Sequence, residues 1–399
     1  MSKVITIFGG QMGSEGKGEV AALFTRSVYG VVAGVRIGGP NAGHTSYDEA
    51  GNKVVVQSLP TPSALAGADA FIGAEGCFIP ELLAKEIAEF YKRNPSGQLT
   101  VRIDPNAAVV TQEHMSREAE LKGKIGSTGE GVGAATADKV MRLPITVKDH
   151  PDLTSDLYDM ACAEYGGKLN SLAIYVMPVA PFINASLAND SYSLSNKGKF
   201  VVGPIFIIEG TQGYGLGLHT GGFYPFCTSR ECTPYALWAG TGINPKISNS
   251  DTIMVVRTYP IRVGGNSGPL ENEITWEDLE IMSEGYVKVP EQTTVTKKVR
   301  RIAEIDFGLL SRAALQTTPD YIALTFLDYK FPKVAGMSWD EIINNGHLDV
   351  VEYVKDIENH LRTPVGIVST GPGTASFTDA YCKYYLGNHS GTLPKVERR

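Results

Sequence analysis

With 399 residues, 43% of them hydrophobic and 20% charged, the chain is long enough to bury a sizeable core, as one large domain or two ordinary ones. Its formal charge of −7 argues against a dedicated nucleic-acid surface, which normally shows as a basic domain or stripe, but leaves room for loops that bind small anions. The five cysteines contain no CxxC pair, no apolar run approaches the roughly 18 residues of a membrane span, and no signal-like segment opens the chain, so the expectation is a cytoplasmic protein without a disulfide framework or zinc site.

The first strand is predicted at Val4–Phe8. It runs into the glycine-rich stretch GQMGSEGKGE, residues 10 to 19, and then a helix over Glu19–Arg26. Further strands are predicted at Val31–Ile37, Val54–Ser58, Ala70–Ile72, Ala107–Thr111, Val202–Glu209, Asp251–Tyr259, Tyr321–Leu327 and Val365–Ser369, with helices at Pro80–Arg93 and Gly308–Gln316. Such alternation predicts an α/β fold: a mainly parallel central sheet flanked by helices. With no linker, repeat or low-complexity block, residues 1–399 are expected to form a single elaborated domain. Many strand-like runs end in glycine-rich turns, and the carboxyl ends of strands are where open α/β sheets bind ligands.

A strand, a glycine run, a lysine and a helix together surround an anion with backbone N–H groups and a positive helix end. The loop is not a Walker A motif. GxxxxGK followed by a hydroxyl residue fails at Gln11 and again at Gly18. Downstream come Gly39-Pro40-Asn41-Ala42-Gly43-His44-Thr45, a loop whose imidazole titrates near neutrality, and the glycine loop Lys124–Gly133 with Ser127 and Thr128. After the strand ending at Glu209 stands Gln212, able to donate to and accept from a purine edge. The run Thr294–Arg301 gathers four cations in five positions, suited to a carboxylate or phosphate, while Asp328 and Ser369-Thr370-Gly371-Pro372 close the last two strands.

In series, GSEGKG, NAGHT, GSTGEGVG with DKVMR, EGTQG, YPFCTS, RVGG and STGP resemble adenylosuccinate synthetase, over nearly the whole chain. The resemblance implies a magnesium-dependent ligase that joins L-aspartate to a 6-oxopurine nucleotide, working as a homodimer. It makes Lys17 a phosphate holder, His44 the acid at the γ-phosphoryl group and Gln212 the residue that orients the base. Asn41, Thr128 and Thr228 would hold the nucleotide 5′-phosphate, with Ser127 also binding the nucleotide and Arg142 lent across the dimer interface. Gly16, Lys17, Gly18, Gly43, His44, Thr45, Asp328, Ser369 and Gly371 would bind the triphosphate. Thr294, Thr296, Lys298 and Arg300 would bind aspartate, with lysine where the family has its first arginine, at the loss of a bidentate fork. Mg2+ would meet the Gly43 carbonyl and residue 14.

Two departures shape the expected substrates. The family loop reads GDEGKG, its aspartate acting as base and metal ligand; Ser14 stands there, a weaker ligand and no base at neutral pH. A short hydroxyl leaves room for a purine 2-amino group, and a bacteriophage branch of the family with serine here makes 2-amino-2′-deoxyadenylosuccinate from dGMP and aspartate. Family members that use GTP read TKxD, whereas Phe326 replaces that lysine, which points to ATP or dATP as donor. The expectation is a dGMP–aspartate ligase. The alternatives are an ordinary synthetase using IMP and GTP, and a catalytically silent purine-nucleotide-binding protein.

Overall fold

The computed structural model describes residues 3–27, 32–189, 205–247, 249–293 and 298–381. Its first strand, Lys3–Gly9, is buried throughout, because Val4 and Phe8 enter one apolar layer and Ile5 and Ile7 the other. A period of two with apolar side chains on both faces marks the centre of a parallel sheet covered by helices. The neighbouring strands Ile205–Glu209 and Asn249–Arg257 run parallel to it, with Ile5 beside Ile207 on one side and Asp251 on the other.

The sheet has ten strands, in the order Ser376–Phe377, Val365–Val368, Tyr321–Thr325, Asn249–Arg257, Lys3–Gly9, Ile205–Glu209, Val32–Arg36, Ala70–Ile72, Leu99–Ile103 and Leu172–Val176. Ser376–Phe377 is antiparallel to its neighbour; the remaining pairs are parallel. The turns after Gly9, Arg36, Glu209, Arg257, Thr325 and Val368 therefore open along the same edge. Helix Lys17–Ser27 covers one face through Val20, Leu23 and Phe24, while Phe307–Thr317 and Leu348–Leu361 cover the other through Leu310 and Ile357. Helices Pro80–Arg93 and Leu153–Tyr165 pack on the outer strands through Leu83, Ile87 and Leu157.

Pro80–Arg93 has the predicted bounds, with proline at its first position and Lys92 and Arg93 near its negative end. Other elements differ. The predicted strand Val54–Ser58 is Lys53–Val56, and it leaves the main sheet to form a hairpin with His44–Tyr47, so His44 belongs to a strand rather than a loop. Ala107–Thr111 shortens to Ala108–Val109, paired with Cys77–Phe78. Leu99–Ile103 and Leu172–Val176 were not anticipated; Thr100 and Arg102 alternate with buried Leu99, Val101 and Ile103, a half-buried pattern without a long apolar run. Tyr321–Leu327 stops at Thr325, where Phe326 turns to φ 59° and opens the helical turn Leu327–Lys330, which carries Asp328. The first three residues of the predicted strand Val202–Glu209, and Thr294 and Thr296 of the predicted aspartate loop, lie outside the described residues.

Candidate active site

The loop after the first strand folds around one carboxylate. Glu15 is fully buried and accepts from the backbone N–H of Gly13 at 2.7 Å and of Gln11 at 3.3 Å. Gly13 and Gly16 sit at φ 85° and 96°, and Ser14 between them at φ 58°, a left-handed position that glycine takes freely and serine less so. Lys17 Nζ donates to Glu15 Oε2 at 2.6 Å and to the Gln212 carbonyl at 2.5 Å. The ammonium is thus pre-placed at the start of helix Lys17–Ser27. Gly18 is glycine for a steric reason: a Cβ there would lie 2.7 Å from the Thr45 carbonyl oxygen.

His44 opens its strand facing Glu209, the last residue of a central strand. Its Nδ1 lies 2.8 Å from Glu209 Oε2, and its buried Nε2 has no protein partner. Glu209 also accepts from Thr61, N–H at 2.8 Å and hydroxyl at 3.3 Å, and pairs with Arg36 at 3.5 Å. A carboxylate acceptor assigns the proton to Nδ1, as in other oriented imidazoles. Burial, and then the charges of Arg36 and Lys17, lower the imidazole to about 4 against the pull of Glu209. His44 is therefore neutral at pH 7 in the unliganded protein. A phosphate beside Nε2 adds negative charge and raises that value, the condition under which the ring can donate a proton.

These groups line one cavity of about 770 Å³. Its walls include Ser14, Gly16, Lys17, Gly18, Asn41, Gly43, His44, Thr45, Ser127, Thr128, Gln212, Thr228, Arg300, Asp328, Ser369 and Gly371, so the structure brings together predicted site residues from eight separate segments of the chain. Lys298 is exposed and not on this wall, its backbone N–H donating to Thr293 Oγ1 at 2.9 Å. Arg142 is exposed after helix Val132–Val140, also off the wall.

At the Asp328 end the sequence reading missed the main organiser. Arg257 is fully buried, its guanidinium 3.7 Å from the centroid of the Phe326 ring. It donates to Glu291 at 2.6 Å and to the Ser14 carbonyl at 3.2 Å, and Gln11 brackets its backbone with a pair of hydrogen bonds. Burial alone would raise the Glu291 carboxyl; Arg257 overcomes this and holds it below its ordinary value. Asp328 is raised by burial; Tyr286 donates to its Oδ2 at 3.0 Å, and its buried Oδ1 has no hydrogen-bond partner. Arg36, Arg257 and Glu209 shared one overlooked signal, a charged residue closing a β-branched apolar run, since unpaired charges are rarely buried.

A glycine-rich loop between strand and helix, a carboxylate-held imidazole and the polar cluster at Asp328, all meeting one cavity, have the layout of a nucleotide-handling α/β enzyme. The sequence profile of adenylosuccinate synthetase matches residues 6–334. An N6-succino-2-amino-2'-deoxyadenylate synthase of Vibrio phage phiVC8 is 33% identical over 350 residues, 86% of this chain and 90% of the relative. The adenylosuccinate synthetase of Thermococcus onnurineus is 32% identical over 372 residues, 92% and 95% of the two chains. Among solved structures, the cyanophage S-2L succinoaminodeoxyadenylate synthetase bound to dGMP and to dATP as an energy donor superposes with a TM-score of 0.70 at 26% identity, covering 96% of this chain and 99% of the other. The chain belongs to the adenylosuccinate synthetase family and is a carbon–nitrogen ligase. Among the described residues no helix is long and apolar enough to cross a membrane.

Proposed function

We propose that the protein joins L-aspartate to C6 of dGMP with ATP or dATP as phosphate donor, giving 2-amino-2′-deoxyadenylosuccinate, a step toward diaminopurine-containing DNA. The carrying observation is Ser14: it replaces the family aspartate, at φ 58° and exposed on the cavity wall. Its hydroxyl is small enough to admit a 2-amino group and can accept a hydrogen bond from it. The product named for the Vibrio phage relative and the dGMP held by the cyanophage neighbour support this reading.

In this reaction O6 of the purine attacks the γ-phosphorus and the nucleoside diphosphate leaves. The aspartate amino nitrogen then bonds to C6 and phosphate departs with the former O6. Loop N–H groups and Lys17 hold the γ-phosphoryl oxygens, His44 Nε2 shares a proton with them, and Gln212 orients the base. Ser14 has no basic atom at neutral pH, so the N1 proton passes to water or a phosphate oxygen. The residues present fit Mg2+: Gly43 and Ser14, both on the cavity wall, would offer it hard oxygens, a carbonyl and a hydroxyl, while Glu15 is turned inward onto the loop N–H groups. Held by these residues, Mg2+ would supply positive charge against the phosphates of the donor.

The test is to incubate the pure protein with dGMP, aspartate, Mg2+ and ATP and follow the succinylated product by mass. The proposal fails if dGMP gives no product while IMP turns over well. That outcome would establish IMP, the acceptor of an ordinary synthetase, and a repeat with GTP in place of ATP would then decide the donor.

Arg142 fits a role in a partner's site. It is exposed at φ 63° and off its own cavity wall, between Val140 and Met141, each 72% exposed, and Leu143, 48% exposed. A two-fold interface would cover these apolar side chains and carry Arg142 to the neighbouring 5′-phosphate. Arg142→Ala and His44→Gln, each nearly inactive alone, should therefore recover about a quarter of native activity when mixed in equal amounts, because one site in four then has both native groups. Recovery of nothing, with mixed dimers verified by mass, rejects the exchange.

A further inference from the structure

We infer that Tyr286 is a specificity-determining residue for the base of the phosphate donor, and that it sets the site toward adenine. This rests on reading the Asp328 end of the cavity as the donor-base pocket. The local chain is built to present this side chain. Helix Trp276–Met282, capped at its start by Thr275 and Asp278, stops at Ser283. Glu284 and Gly285 then turn through φ 52° and 78°. Ser283 Oγ accepts from the Val287 N–H at 3.1 Å, and Val287 is buried in a small apolar cluster with Leu279 and Ile302. Held on both sides, Tyr286 reaches Asp328 Oδ2 at 3.0 Å from just outside the cavity lining, the residue being 43% exposed.

Guanine offers N1–H and its 2-amino group as two parallel donors, and a carboxylate reads them with two free oxygens. Asp328 does not present that fork. Its Oδ1 is buried, and its Oδ2 already accepts the Tyr286 hydroxyl. What remains is a hydroxyl beside one carboxylate oxygen, one donor and one acceptor. Adenine carries the complement at N1 and its 6-amino group: the hydroxyl turns to donate to N1, and Oδ2 accepts from the amino nitrogen. Phe326 supplies an uncharged ring in place of a lysine at the same pocket, and Arg257 covers one face of it.

Tyr286→Phe removes only the hydroxyl. Steady-state rates with ATP and with GTP, at saturating aspartate and whichever of dGMP or IMP is turned over, give the donor preference. The expected result is a rise of about tenfold in the GTP-to-ATP ratio of kcat/KM, carried by KM, which corresponds to the loss of one discriminating hydrogen bond. Calorimetric titration with the non-hydrolysable imido analogues of ATP and GTP reads the same ratio without turnover, so it answers even if neither acceptor reacts. The inference is overturned if the native protein prefers GTP, or if Tyr286→Phe leaves the ratio within twofold or weakens both donors equally. Turnover of IMP instead of dGMP refutes the acceptor reading and leaves this one standing.

Discussion

Ser14→Asp should exchange the acceptor, suppressing turnover of dGMP and conferring turnover of IMP. The backbone tolerates the change, because φ 58° is a region where aspartate is several-fold enriched over most residues. On the proposed pose the added carboxylate would fill the space of the 2-amino group, and overpacking of that kind costs roughly 1–3 kcal/mol, about 5- to 150-fold in kcat/KM for dGMP. With IMP the same carboxylate restores a base toward N1, a contribution on the order of 10²- to 10⁴-fold. Initial rates with both nucleotides decide the matter: a variant that keeps its dGMP rate and gains nothing with IMP would show that residue 14 does not face C2.

His44→Gln should lower kcat with dGMP by on the order of 10²- to 10⁴-fold, with a smaller change in KM, because in the proposed reaction the imidazole would act on the γ-phosphoryl group as charge develops. Glutamine can keep a hydrogen bond to Glu209 but cannot shuttle the proton. The same substitution has a signature in the absence of nucleotide. Folding depresses the imidazole from 6.5 to about 4, so between those pH values the unfolded chain binds more protons than the native one. Stability from the neutral ring is present in full above about 6.5 and is lost as pH falls through about 4, a difference on the order of 3 kcal/mol. Urea midpoints measured at pH 7 and pH 4.5 should converge less in the native protein than in His44→Gln. A native protein with the variant's pH dependence would contradict the buried, neutral state. Adding dGMP with an ATP analogue should raise the His44 value, read by NMR.

The parts of the site that could be read in advance were those with a local spacing. Gly13, Gly16, Lys17 and the strand before them announce an anion loop within a dozen residues, and Pro80–Arg93 announces its own ends. The parts that escaped depend on partners far apart in the chain. Glu209 orients His44 across 165 positions, and Arg257 reaches Ser14 across 243. Their residue types were visible as charges next to apolar strands, but nothing local says which buried partner each one meets. Leu99–Ile103 was lost for another reason, since a strand with only one buried face alternates in polarity and lacks the continuous apolar run of Lys3–Gly9. Phe326 shows a third limit: the apolar run continues to Leu327, yet the backbone reverses hand at Phe326, and composition does not report a dihedral angle.

Arg257 ties the backbone under Ser14, the ring of Phe326 and the carboxylate of Glu291 into one rigid joint. Ser14 and Phe326 therefore share one contact residue, the condition under which substitutions at two positions can couple. Restoring lysine at residue 326 would set a second cation against the guanidinium and push on the turn that carries Ser14. Replacements at residues 14 and 326 are therefore expected to be non-additive, each shifting its own preference while the double variant departs from the sum of the two.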